Sequence, residues 1–232
     1  MDLSSWNLLA NFKGKNKQFA VIGLGRFGRS VCETLHGSGC EVLAIDREEK
    51  KVNQVVLDKI ASHAVELDST EPDALKQAGI PEFETVIVAI GNYLAESITT
   101  TLNLKELKVK FVVAKASSET HVKLLKKVGA DRVVFPEREM GTELGLWLTK
   151  PKILDRFEID PENSIVEVVI PEEFDGKTII DLELRKKYGL NLLAVSGQDE
   201  KFEINPLPNK PLVKGRSMVV LGSNNNINRL PD

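Results

Sequence analysis

At 232 residues the chain has room for one large domain, or for one of about 140 residues and a smaller companion. A hydrophobic share of 42% beside a charged share of 28% is that of a folded globular protein and excludes general disorder. A net charge of −3 excludes the basic excess with which nucleic-acid binders neutralise phosphates.

The N-terminus lacks the apolar core and small-residue cleavage site of a secretory signal, and no apolar run reaches the roughly 18–20 residues that cross a bilayer. Cytoplasmic residence is the expectation. Cys32 and Cys40 form no CxxC pair, so neither a disulfide framework nor a zinc site is expected. In chain order, Lys17 to Gly23 is a short apolar run ending in glycine, which predicts a buried parallel strand. A helix follows over Phe27 to Leu35, stopped by Gly37-Ser-Gly39. Strands are then predicted over Glu41–Ile45, His63–Leu67, Thr85–Ile90, Phe111–Ala114 and Arg132–Phe135. Helices over Glu48–Asp58, Glu71–Ala78, Ala95–Leu107 and Glu119–Val128 separate them. Strict alternation with short loops means a parallel sheet covered on both faces, a Rossmann-like doubly wound α/β domain.

Beyond Pro136 the pattern changes. Glu137 to Thr149 reads as a helix whose apolar residues, Met140, Leu144 and Trp147/Leu148, have no strand of the first sheet left to cover. A dimerising crossover helix is the expectation. Shorter strands follow over Ser164–Ile170, Asn191–Ser196, Lys201–Ile204 and Ser217–Leu221, with one helix near Ile179–Tyr188, which predicts a small α+β module. Near about 75 residues a lone core is marginal, and dimerisation would support it. The tail Ser223-Asn-Asn-Asn226 reads as frayed. The expected division is a tail (1–16), a nucleotide-binding domain (17–136), a crossover helix and linker (137–155) and a C-terminal α+β domain (156–232).

The chemistry concentrates in Gly23-Leu-Gly25-Arg26-Phe27-Gly28, a GxGxxG between a predicted strand and a predicted helix. Gly23 permits the tight turn, Gly25 lets a phosphate approach the backbone, and Gly28 lets helix and strand pack closely. Asp46 stands eighteen residues beyond Gly28 at a strand end, where an acid accepts hydrogen bonds from ribose hydroxyls and disfavours a 2′-phosphate. Arg47 beside it weakens that exclusion. Asp68 and Ser69 end the third strand, where Asp68 either reaches the adenosine or serves as a turn or helix cap before Glu71. Gly91, Asn92 and Lys115 close the fourth and fifth strands on the same crevice. Arg26 offers a planar fork to phosphate oxygens, a cation that a terminal polyphosphate needs and NAD does not. Glu137 follows the sixth strand, where a carboxylate could hold a cation or simply favour a helix N-terminus.

No reaction is legible. The C-terminal module carries no histidine, since His36, His63 and His121 all precede it, and no GxSxG, HExxH or Walker motif occurs. The alternative of an NAD(H)-binding oxidoreductase or redox sensor therefore lacks a visible substrate site.

The stretches Lys15 to Gly28 (KNKQFAVIGLGRFG), Ala44 to Asp46, Val86 to Gly91 and Gly129 to Gly141 (GADRVVFPEREMG) resemble the RCK family, regulators of potassium conductance, and within it the cytosolic Ktr-type subunits of bacterial potassium uptake. The likeness covers nearly all of the chain after Lys15. It implies no enzyme but a ring, an octamer built from dimers, on the inner face of the cell membrane, docked on an integral membrane potassium-translocating subunit. It implies ATP and ADP competing for the Rossmann site, with Arg26 meeting the terminal phosphate across a dimer and Glu137 beside an activating Na+ or Mg2+. It further implies cyclic di-AMP between two C-terminal modules, near Arg185, Asn191 and Pro206. The first fourteen residues depart from the family pattern. Leu3, Trp6, Leu8, Leu9 and Phe12, followed by Lys13, Lys15 and Lys17, could form an amphipathic segment that touches a membrane or partner.

Overall fold

The computed structural model describes residues 17–149, 153–197 and 201–231. The N-terminal residues from Leu3 to Lys15 lie outside the described residues, as does the side chain of Trp147. Two compact units divide between Glu139 and Met140.

In the first unit, β1 (Gln18–Ile22), β2 (Glu41–Asp46), β3 (His63–Glu66), β4 (Thr85–Val88), β5 (Phe111–Lys115) and β6 (Arg132–Val134) form one parallel sheet in the order β3-β2-β1-β4-β5-β6. Between them run α1 (Arg26–Gly37), α2 (Glu49–Asp58), α3 (Pro72–Gln77), α4 (Leu94–Glu106) and α5 (Glu119–Lys127). Successive strand residues point to opposite faces, and both faces are apolar. Ala20, Ile22, Leu43, Ile45, Val86 and Val88 pack with Leu75, Leu104 and Leu125 of α3, α4 and α5. Their neighbours Val21, Val42, Ala44 and Ile87 pack with Cys32 of α1 and with Val52 and Val55 of α2. Each such valine, leucine or isoleucine side chain contributes about 1.5–3 kcal/mol when fully buried, and most of these are below 1% exposed. The doubly wound arrangement follows from that two-sided burial.

Helix α6 (Pro136–Thr149) spans the division between the units, and its Met140, Leu144 and Leu148 are exposed. No helix among the described residues is long and apolar enough to cross a membrane.

The second unit holds an antiparallel sheet in the order β10-β9-β11-β8-β7, built from β7 (Ile153–Glu158), β8 (Asn163–Val169), β9 (Asn191–Ser196), β10 (Phe202–Ile204) and β11 (Ser217–Ser223). Val166 and Val168 alternate inward along β8 against Phe174, Leu184, Leu190, Met218 and Val220. Three features differ from the sequence reading. Strand β7 was not expected. The single helix near Ile179–Tyr188 is two short helices, α7 (Ile179–Leu182) and α8 (Leu184–Lys187), broken at Glu183 with φ +46°. The tail is not frayed: Ser223 caps a further helix, α9 (Asn224–Ile227), by accepting from the Asn226 N–H, and Ile227 is buried.

Candidate nucleotide-binding site

The chain leaves β1 towards β2 on one side and leaves β4 towards β5 on the other. A doubly wound sheet opens a crevice where its order reverses in this way, at the carboxyl ends of the strands. Here the crevice is a cavity of about 450 Å³. It is lined by Gly23, Gly25, Arg26, Phe27, Asp46, Arg47, Asp68, Ser69, Gly91, Asn92, Lys115 and Glu137, so the residues singled out along 115 positions meet in one place. Gly28 lies just behind it.

The glycine loop leaves room at its backbone. Gly23 has φ +98°, a left-handed conformation that L side chains rarely adopt, and its N–H donates to the Ile45 carbonyl at 2.7 Å. A Cβ at Gly28 would stand 1.9 Å from the Gly23 carbonyl oxygen. A Cβ at Gly25 would meet nothing within 4 Å: it would point into open space. Gly25 is also the N-cap of α1, which has no side-chain cap and no acidic residue in its first turn. The N–H groups and the positive dipole end that open this helix are thus left for an anion.

Positive charge gathers at that end. Lys115, 13% exposed, lies with Nζ 2.7 Å from Glu137 Oε1 and 5.6 Å from the centre of the Phe27 ring. Hydrogen bonding from Lys115, with the charges of Lys115 and Arg26, outweighs burial and holds the Glu137 carboxyl below its ordinary range. For the expected Na+ or Mg2+, this end of the crevice offers Glu137. The one carboxylate is already paired with an ammonium, and no group of three metal-ligating side chains occurs among the described residues.

At the other end Asp46 is 7% exposed, and both its oxygens are engaged. Oδ2 accepts from the Leu24 N–H at 2.7 Å and Oδ1 from the Glu48 N–H at 2.9 Å. The aspartate ties the glycine loop to the start of α2, and each oxygen keeps a further lone pair for a ribose hydroxyl. Asp68 Oδ1 accepts from Thr70 Oγ1 at 2.7 Å and from its N–H at 2.9 Å. That Thr70 hydroxyl, the Thr70 N–H and the nearby Arg47 charge hold its carboxyl low. Ser69 shares a hydrogen bond of 2.8 Å with the Thr100 hydroxyl, which ties it to α4, and a hydroxyl so engaged keeps a further lone pair towards the crevice.

Lys51, Thr70, Tyr93 and Glu96 also line the crevice and were not singled out. Each stands beyond a strand end that was, and position relative to the strand ends was the available signal. None of the three histidines is in the lining. In the second unit, Arg185, Asn191 and Pro206 share an open cleft of about 560 Å³ with Ile180 and Glu183.

The TrkA-N domain matches residues 19–136 and the TrkA-C domain residues 165–231. The Ktr system potassium uptake protein C of Bacillus subtilis is 44% identical over 92% of this chain and 95% of its own length. The Ktr system potassium uptake protein A of the same organism is 43% identical over 93% and 96%. Among solved structures, the GsuK channel bound to NAD has a TM-score of 0.53 and 25% identity over 93% of this chain, which spans 38% of that one. The chain belongs to the TrkA-N/TrkA-C, or RCK, family and is a regulatory subunit of the KtrA/KtrC type rather than an enzyme.

Proposed function

We propose that this chain senses the adenine nucleotide pool and gates a membrane potassium-translocating subunit from the inner face of the membrane. The observation that carries this reading is the open side of Gly25 at the uncapped start of α1, with Arg26 and Lys115 beside it. It supports a polyphosphate at one end of the crevice and a ribose at Asp46. ATP and ADP differ by one phosphate, and Arg26 gives that difference a contact.

Magnitudes show what this demands. Inverting a two-state equilibrium from 1:99 to 99:1 takes about 5.5 kcal/mol of differential binding. One charge-assisted contact gives roughly 1.5–3 kcal/mol, so the gating reading needs several subunits acting together. The exposed Met140, Leu144 and Leu148 on α6 support self-association into dimers and a ring. The cleft holding Arg185, Asn191 and Pro206 is the proposed cyclic di-AMP site, tested by titration of that dinucleotide against Arg185→Ala. The likeness to a channel bound to NAD favours a second reading in which NAD(H) occupies the crevice.

Calorimetric titration with ATP, ADP and NADH, beside Arg26→Ala, separates the two. The gating reading expects Arg26→Ala to weaken ATP about tenfold and ADP less than about threefold. NADH binding with ATP ignored would overturn it.

A further inference from the structure

The dipeptide Asp46-Arg47 carries two opposed instructions. An acid at the end of the second strand selects a free 2′-hydroxyl, whereas an arginine nearby accommodates a 2′-phosphate. The structure shows what restrains the arginine. The Arg47 guanidinium lies over the Tyr93 ring, 4.4 Å from its centre, and its Nη1 is 3.6 Å from Glu96 Oε1. Tyr93 and Glu96 come from the opposite lip of the crevice, where the chain leaves β4 and enters α4. A planar cation stacked on an aromatic face and paired with a carboxylate is held on two sides. The other cation at this end, Lys51, is likewise taken, by Glu48 at 2.7 Å and Asp46 at 3.6 Å. Carboxylates therefore outnumber cations around the ribose end, while Arg26 and Lys115 face the phosphate end.

We infer that Glu96, with Tyr93, withholds Arg47 from the ligand, so that the crevice takes adenine nucleotides with a free 2′-hydroxyl and rejects those phosphorylated there. Glu96 is then a specificity-determining residue that acts through Arg47. A 2′-phosphate would have to displace Glu96 from the guanidinium and then lie beside a displaced carboxylate, a like-charge contact. The inference rests on the nucleotide-binding reading of the crevice.

The test is titration of the full chain with ADP and with 2′-phospho-ADP, for the natural sequence, Glu96→Gln, Tyr93→Ala and Glu96→Gln/Arg47→Ala. Thermal unfolding of each variant monitors folding. The expected result is that Glu96→Gln gains about tenfold for 2′-phospho-ADP with ADP changed less than about twofold. Tyr93→Ala should gain less, and the double variant should lose the gain. ADP binding with an unchanged ratio in both single variants would overturn the inference and leave the nucleotide reading standing. Failure of the natural sequence to bind ADP or ATP would overturn both.

Discussion

Gly25 and Gly28 sit three residues apart in one motif, yet a methyl group has different consequences at each. At Gly28 it would collide with the Gly23 carbonyl at 1.9 Å, so loop or helix must move. Gly28→Ala is expected to destabilise by about 1–3 kcal/mol, seen as a lower unfolding temperature with nucleotide binding lost as well. Gly25 has φ −69°, which any residue adopts, and open space beyond it. Gly25→Ala should fold with stability changed by less than about 0.5 kcal/mol while weakening ATP and ADP at least tenfold in the same titration. His121 is a different case: it is fully buried, and its Nδ1 accepts from the Ser117 N–H at 3.2 Å. Burial depresses its pKa, so the unfolded chain binds the proton more readily. The stability that follows is complete above the unfolded value near pH 6.5 and declines as pH falls from there towards the folded value. His121→Gln should flatten the dependence of unfolding temperature on pH between about 7 and 5. The glycines and Asp46 were legible because one spacing fixes their backbone roles. Tyr93 and Glu96 were not, because their roles depend on a partner 46 to 49 positions away, Arg47.

The parallel sheet was readable because strands buried on both faces have nowhere to place polar side chains, and Val42 to Ile45 has none. Strand β7 was missed for the opposite reason. It lies at a sheet edge, and in Ile153-Leu-Asp-Arg-Phe-Glu158 neither the apolar nor the polar residues alternate. The tail misled because Ser223-Asn-Asn-Asn226 looks like a polar terminus, whereas the Ser223 cap and the buried Ile227 hold one more turn in place. The break at Glu183 is invisible to periodicity, since Leu182 and Leu184 are both buried across it. Its φ of +46° is costly for a residue with a Cβ. Its ion pairs to Lys186 and Lys187 are exposed and weak. Glu183→Gly is therefore expected to raise stability by about 0.5–1 kcal/mol, measured as a higher denaturation midpoint at unchanged denaturant slope.

Across the whole molecule, each unit has its own apolar core, and α6 carries an apolar row through the boundary with nothing described over it. Met140, Leu144 and Leu148 recur every four residues, and such a row is commonly covered by another chain. Leu144→Glu should leave the unfolding temperature within a few degrees and reduce the mass seen by light scattering to that of a smaller assembly. The uncapped start of α1 has a further consequence. A helix completed by its ligand is more durable when the ligand is abundant: at a hundred times the dissociation constant the folded state gains about 2.7 kcal/mol. Transient opening, and the proteolysis that follows it, then becomes about a hundredfold rarer. On the proposed function, the lifetime of the protein in a cell is thereby tied to the supply of the nucleotide whose phosphates would seat against Gly25.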